Sequence, residues 1–186
     1  MSTATEVLAT AEDRMKKAIA NLQKEFTTIR TGRANPAILD RVEVEYYGSP
    51  TPLKSLANIS VPDGRSLLIQ PFDKNVVKDI EQAIHKSGLG LTPNSDGTVV
   101  RINIPVLTEE RRKELTKHVK KFGEDARVSV RNIRRDGADE LKKLKGTGLS
   151  EDEIKRQEES LQKLTDKYVK EIDKQVHDKE QEVMEV

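Results

Sequence analysis

Thr31-Gly32-Arg33-Ala34-Asn35-Pro36 separates two stretches of chain with different periodicities. Before it, Leu8, Ala11, Met15, Ala18, Leu22, Phe26 and Ile29 recur every three or four residues, which puts them on one face of an α-helix. After it, Val42, Val44 and Tyr46 alternate with Arg41, Glu43 and Glu45, the period-two pattern of a half-buried strand. Gly32 and Pro36 are helix stops, so the change of structure falls here. At the other end of the helix, Thr3 and Glu6 have the spacing of a capping box.

Further along, Leu67-Leu68-Ile69 and Val99-Val100-Arg101-Ile102-Asn103-Ile104 are strand candidates. Between them Val76, Val77, Ile80, Ala83 and Ile84 mark a short helix closed by Ser87-Gly88. Gly48-Ser49-Pro50-Thr51-Pro52 reads as a turn, because neither proline can donate to a ladder. After Pro105 and Thr108 the helical period returns, with Glu109 and Glu110 at the positive end of the dipole. Leu115, Val119, Phe122, Ala126, Val130, Ile133, Leu141 and Leu144 form its stripe, and Gly146-Thr147-Gly148 breaks it. Ser150 and Glu153 are a second capping box, followed by a third stripe of Ile154, Leu161, Leu164, Tyr168, Ile172, Val176 and Val183.

Three amphipathic helices bury their stripes only against one another, yet a β-rich block separates the first from the others. The expected architecture is α+β: a discontinuous three-helix bundle, residues 1–30 plus 106–186, with residues 31–105 inserted as a small β/α/β domain. A simple coiled coil needs only the stripes, and the period-two middle argues against it. The crossings, Arg30-Thr31-Gly32-Arg33-Ala34-Asn35-Pro36 and Ile104-Pro105-Val106-Leu107, are hinge candidates, since a few residues between rigid bodies can absorb a large rotation.

Composition agrees. Of 186 residues, 34% are hydrophobic, 35% charged and 3% aromatic, which suits long helices with narrow apolar stripes rather than a β-sandwich. The absence of cysteine removes disulfides, thiolate metal sites and thiol nucleophiles. No apolar run approaches the roughly 18 residues of a membrane span, and the acidic, helical N-terminus resembles neither signal nor transit peptide. A cytoplasmic protein is expected.

The net charge of +1 hides a segregation. Residues 108–148 hold 13 Lys/Arg against 8 Asp/Glu, and residues 149–186 hold 7 against 12. With Arg127 set to zero and about 100° per residue, Lys113, Lys117, Lys120, Arg131, Arg135, Lys142 and Lys145 fall within an arc of ~80°. Among the acids only Glu109 and Glu124 share it, and the apolar stripe is centred about 90° away. Arg134 lies just outside the arc toward the core, Arg112 further over. A solvated helix face is the plain reading; a track for RNA phosphates is the functional one, favoured by the arginines Arg127, Arg131, Arg134 and Arg135. With no aromatic platform and no zinc-finger spacing, backbone and shape recognition of folded RNA fits better than base reading.

Catalytic patterns are missing. His85, His118 and His177 lack metal-ligand spacing, no phosphate-cradling Gly-x-x-x-x-Gly-Lys-Ser/Thr loop occurs, and the carboxylates are spaced for helical ion pairs. Two other classes remain: a helical scaffold for protein partners, indifferent to Arg134, and a hydrolase with turnover of its own.

Several long motifs resemble the bacterial ribosome recycling factor family. They are Ile29-Arg30-Thr31-Gly32-Arg33-Ala34-Asn35-Pro36, the Val44–Leu53 run with Glu45-Tyr46-Tyr47-Gly48, Leu107-Thr108-Glu109-Glu110-Arg111-Arg112, Ala126-Arg127-Val128-Ser129-Val130-Arg131-Asn132-Ile133-Arg134-Arg135-Asp136 and Gln162-Lys163-Leu164-Thr165-Asp166. The resemblance spans essentially the whole chain. It implies an elongated antiparallel three-helix bundle and a small β/α/β domain, roughly L-shaped, joined by two flexible linkers. It also implies a non-catalytic translation factor that binds the large ribosomal subunit and its rRNA after termination. Together with elongation factor G, which hydrolyses GTP, such a factor separates the subunits. Arg131 and Arg134 then correspond to ribosome-contacting arginines of the family, and Arg30, Arg33 and Arg112 to other motif arginines; Arg127 and Arg135 complete the candidate set. No cofactor, metal, DNA or membrane partner is expected, and the chain is expected to be monomeric.

Overall fold

The Thr3 side chain accepts the amide of Glu6, whose carboxylate accepts the amide of Thr3 in return, and this reciprocal cap opens the first helix, α1, Ala4–Phe26. The computed structural model describes residues 3–185. The outermost positions of the expected bundle, residues 1, 2 and 186, lie outside them. Two compact units emerge. One comprises residues 3–29 with Glu109–Met184, and the other Arg30–Thr108 together with Glu185.

The first unit contains α1 and two longer helices, named α4 (Glu109–Lys143) and α5 (Glu151–Met184) by their place in the chain. Directions follow from residue pairs. Arg14 meets Asp136 and Phe26 meets Phe122, so α1 and α4 run antiparallel. Gly137 lies against Leu161 and Gly123 against Val176, while Arg112 reaches Met184, so α4 and α5 are antiparallel as well. Met15, Leu22, Val119, Val130, Leu141, Leu161, Ile172 and Val183 are almost completely buried between the three. The first stripe is rotated slightly from its expected setting. Val7 and Ile19 are buried, whereas Leu8 and Ala18 are only half-buried, because a 3.6-residue period drifts across a strict three-or-four count. Ser150 and Glu153 exchange hydrogen bonds as the spacing predicts, capping α5.

The second unit holds β1 (Glu43–Tyr46), β2 (Ser49–Pro52), a single helical turn α2 (Leu53–Leu56), β3 (Ala57–Ser60), β4 (Ser66–Pro71), α3 (Val77–Lys86), β5 (Pro93–Ser95) and β6 (Val100–Asn103). β1 and β2 form a hairpin; the remaining strands form an antiparallel sheet in the order β3-β4-β6-β5. Val44, Leu53, Leu67, Ile69, Ile80, Val100 and Ile102 have no exposed surface and make its core.

The hairpin corrects one expectation. Ser49–Pro52 is a strand, not part of the turn; the turn is Tyr47-Gly48 alone, both with positive φ (50° and 77°). A two-residue turn makes Tyr46–Ser49 and Val44–Thr51 the hydrogen-bonded pairs, and the Leu53 amide continues the ladder onto Val42. Pro50 and Pro52 occupy the intervening positions, whose nitrogens face away from β1, so the missing N–H groups cost the ladder nothing. Two strands escape the sequence pattern, the Asn/Ser-bearing β3 and the Pro-Asn-Ser of β5. The latter is set by its turn: Asp96 Oδ1 accepts from the amides of Thr98 and Val99 and from the Thr98 hydroxyl.

Candidate nucleic-acid interface

Helix α4 has 35 residues, about 50 Å at a rise of ~1.5 Å per residue, long enough to hold a linear array of charge. Along it Lys113, Lys117, Lys120, Arg131, Arg135 and Lys142 are exposed. Lys145 leaves the array, because α4 ends at Lys143 and Lys145 sits in the following turn, bonded to Glu151. That hydrogen bond and the attached Coulomb attraction raise the Lys145 pKa and lower that of Glu151.

The partners divide the cations into groups. Lys113 pairs with Glu109 at 3.5 Å, and Arg131, half of its side chain exposed, lies 3.6 Å from Glu124. Both pairs are in water and worth at most about 1 kcal/mol, so phosphate can displace them. Lys117, Lys120, Arg135 and Lys142 enter no ion pair among the described residues, nor does the half-buried Arg134. The outer arc of α4 is therefore cationic and available. Nearby, a hydrogen bond from Arg111 (2.8 Å) and then the Coulomb attraction of the same guanidinium hold Glu114 below the usual carboxylate range.

Two candidate arginines are placed differently. Arg127 has a side chain only 21% exposed; its Nε donates to Asp173 Oδ1 of α5 at 2.7 Å and its Nη1 to Glu124 at 3.3 Å. Arg112 donates from Nη1 to the Met184 carbonyl at 3.4 Å, and its Nε is buried without a partner. The last turn of α5 carries no basic residue, so Arg112 supplies from α4 the positive charge that a helix C-terminus favours. Both arginines lie in the seam between α4 and α5.

The remaining candidates are in the second unit. Arg30 donates to the Leu89 carbonyl, and Arg33 pairs with Glu185 at 3.0 Å. Most hinge candidates there are anchored. Thr31 is buried and its hydroxyl accepts the Arg33 amide, the Ala34 amide donates to Gly64, and Asn35 caps a short 3-10 turn begun by Pro36. Gly32 has open space around it. On the returning side the Ile104 amide donates to Arg65, Pro105 and Leu107 carry no regular structure, and Val106 is exposed.

Sequence reasoning missed the glycines of α4. Gly123 and Gly137 look like defects, at roughly 1 kcal/mol each relative to alanine in a helix interior. Both are buried, and a Cβ added to Gly123 would stand 2.4 Å from Val176 Cγ2. At Gly137 it would meet Leu161 Cδ2 at 3.0 Å. They let α5 approach α4 closely and so set the height at which the outer arc stands. The signal was available: at about 100° per residue both glycines fall inside the apolar stripe.

Among the described residues no three His, Cys, Asp or Glu side chains gather to hold a metal ion, and no helix is long and apolar enough to cross a membrane. His85, His118 and His177 are all exposed.

Comparison with known proteins agrees with the motif resemblance. Residues 22–184 match the family described as ribosome recycling factor. A ribosome-recycling factor of Halalkalibacterium halodurans is 60% identical over 182 residues, spanning 97% of this chain and 98% of its own. That of Desulforamulus reducens is 58% identical over 181 residues, with the same coverage. A solution structure of the ribosome recycling factor aligns over 100% of both chains at 45% identity with a TM-score of 0.77. A second structure has the T. thermophilus ribosome recycling factor and the E. coli elongation factor G bound to the E. coli post-termination complex. It covers 98% of this chain and 99% of its own, at 46% identity and a TM-score of 0.66.

Proposed function

The chain belongs to the ribosome recycling factor family, and from that premise we propose that it binds the large ribosomal subunit of the post-termination complex through the outer arc of α4. With elongation factor G and its GTP hydrolysis, it then promotes separation of the subunits for a new round of protein synthesis. The carrying observation is the row of exposed, unpaired cations, Lys117, Lys120, Arg135 and Lys142, with Arg131 and Arg134 beside them on the same helix. Each cation docked on a phosphate releases counterions, and each arginine adds a two-pronged fit. Arg127 and Arg112 assist from the seam by holding α4 against α5, while Arg30 and Arg33 contribute near the connections.

The chain acts by binding and movement rather than by a reaction at its own residues, as a cytoplasmic monomer whose nucleic-acid ligand is rRNA. Within the two connections, residues 30–36 and 104–107, Gly32 and the segment from Pro105 to Leu107 absorb rotation of the smaller unit, the anchored residues moving with it. The test is co-sedimentation with large subunits across a salt series. Affinity should fall linearly on a log–log plot, and Arg131→Ala with Arg134→Ala should weaken binding with helicity unchanged. An unchanged dissociation constant in that double variant rejects the assignment.

A further inference from the structure

The β1–β2 hairpin has two outer edges, and they are finished differently. On β2 the outward backbone positions are Pro50 and Pro52, so that edge has no N–H there to offer a further strand. On β1 the outward positions are Glu43 and Glu45, which stand opposite those prolines and are not hydrogen-bonded to β2. Their amides and carbonyls meet no other partner among the described residues. One edge is chemically closed, and the other keeps the donors and acceptors of an unfinished ladder.

The open edge borders a groove of about 650 Å³. Its far wall is α3, which presents Asp79, Gln82 and Lys86, three and four residues apart on one helix face. A helix packed hard against a strand edge hides it, whereas here the gap leaves the edge accessible. The charges choose the occupant. Glu43 and Glu45 are exposed, share one face of β1, and with Asp79 enter no ion pair among the described residues. Arg41 in the turn before β1 and Lys86 near the end of α3 confine the negative stretch to these carboxylates. A second copy of β1 laid antiparallel on this edge brings glutamate against glutamate, which like charges oppose. A strand with Lys or Arg at alternate positions is attracted at the same points.

We propose that a basic polypeptide segment in extended conformation adds to β1 as a third, antiparallel strand of the hairpin, in the groove beside α3, with Lys or Arg opposite Glu43 and Glu45. Main-chain hydrogen bonds to the two open residues supply the affinity, and the two carboxylates supply the selectivity. The inference goes beyond RNA binding by α4 and does not depend on it: the larger unit takes a polynucleotide, the smaller one a polypeptide.

The probe is a seven-residue peptide of alternating Lys and Thr, blocked at both ends and titrated into the full chain while amide exchange is followed by NMR. Binding should slow exchange of the Glu43 and Glu45 amides by about tenfold or more. Glu43→Gln with Glu45→Gln should weaken binding about tenfold, since each opposite-charge pair contributes up to severalfold. In an antiparallel ladder the Lys residues turn their N–H groups toward β1 and the Thr residues away. N-methylation of the Lys amides should therefore abolish binding, and N-methylation of the Thr amides should spare it. Equal loss from both, or binding that leaves Glu43 and Glu45 unprotected, reduces the effect to charge attraction and overturns the added strand. Protection without peptide that grows with protein concentration gives the edge to a second copy and overturns it as well. So does a peptide that does not bind, and each of these results leaves the co-sedimentation test of α4 untouched.

Discussion

Arg127 and Arg135 lie on the same helix, two turns apart, and do opposite things. Arg127 turns into the α4–α5 seam, where Asp173 and Glu124 take its donors; Arg135 is exposed and enters no ion pair among the described residues. The difference comes from the neighbouring helix. A guanidinium within reach of a carboxylate on a packed partner becomes scaffold, and one an arc further out stays available for a ligand. Charge counted along a sequence cannot separate the two, because it does not contain the partner.

The largest expected effect tests the seam where it is tightest. Gly123→Ala places a methyl group 2.4 Å from Val176 Cγ2, and a β-branched residue in a helix has almost one rotamer and cannot swing away. The helices must part, at a cost of about 1–3 kcal/mol as for other overpacked sites. Chemical denaturation measures it. A stability equal to the parent's would mean that α4 and α5 are not held as closely as the contact implies.

Next comes the contrast between the two arginines. Arg127→Ala removes a well-aligned bond of 2.7 Å, but Asp173 is half exposed and water rescues it, so the loss is about 1 kcal/mol. Arg135→Ala should stay within about 0.5 kcal/mol. Large-subunit binding should rank the other way, with Arg135→Ala lowering the salt slope and Arg127→Ala changing it less. Equal stability losses for both would erase the distinction between seam and outer arc.

The same distinction explains what the sequence disclosed. The stripes of α1, α4 and α5 and the alternation in β1 were legible, since burial imposes a period and the period is written in residue type. The outer arc was legible for the same reason. Pairing across elements was not. Gly123 and Gly137 read as weak points until Val176 and Leu161 are set against them, and Arg112 reads as a ligand contact until the C-terminus of α5 is beside it. Strand β2 was hidden because prolines are scored by the donor they lack, while their cost depends on which side of the ladder that donor would face.

A smaller effect extends the contrast to the second unit and to pH. Asp96 Oδ1 collects three donors in the β5–β6 turn, and the Val99 amide first, then the Thr98 amide and hydroxyl, lower its pKa from 3.8 to about 2. Asp63 is lowered in the same direction, chiefly by the Arg65 amide and the Ser66 hydroxyl. A carboxylate depressed in the folded state contributes stability above its unfolded pKa and loses it as pH falls through the folded one. Asp96→Ala should therefore lower the melting temperature at neutral pH, and the gap to the parent should close as pH drops from about 4 toward 2. A gap that persists at pH 2 would trace the loss to something other than the ionised carboxylate.

The smallest expected change is at the other glycine. Gly137→Ala brings a methyl to 3.0 Å from Leu161 Cδ2 and 3.4 Å from Cδ1, a tight contact but with the end of a flexible side chain rather than a stiff one. Leucine can yield a few tenths of an ångström by a small change of χ2, and alanine gains about 1 kcal/mol over glycine in a helix interior. The two terms nearly cancel, so Gly137→Ala should lie within about 1 kcal/mol of the parent while Gly123→Ala does not. The pair of variants separates two reasons for glycine in a helix. If both destabilise alike, the α4–α5 seam is uniformly tight and Leu161 is as fixed as Val176. If neither does, the glycines do not govern the approach of the helices, and the distance of α5 from α4 is set by the buried side chains of the two apolar stripes.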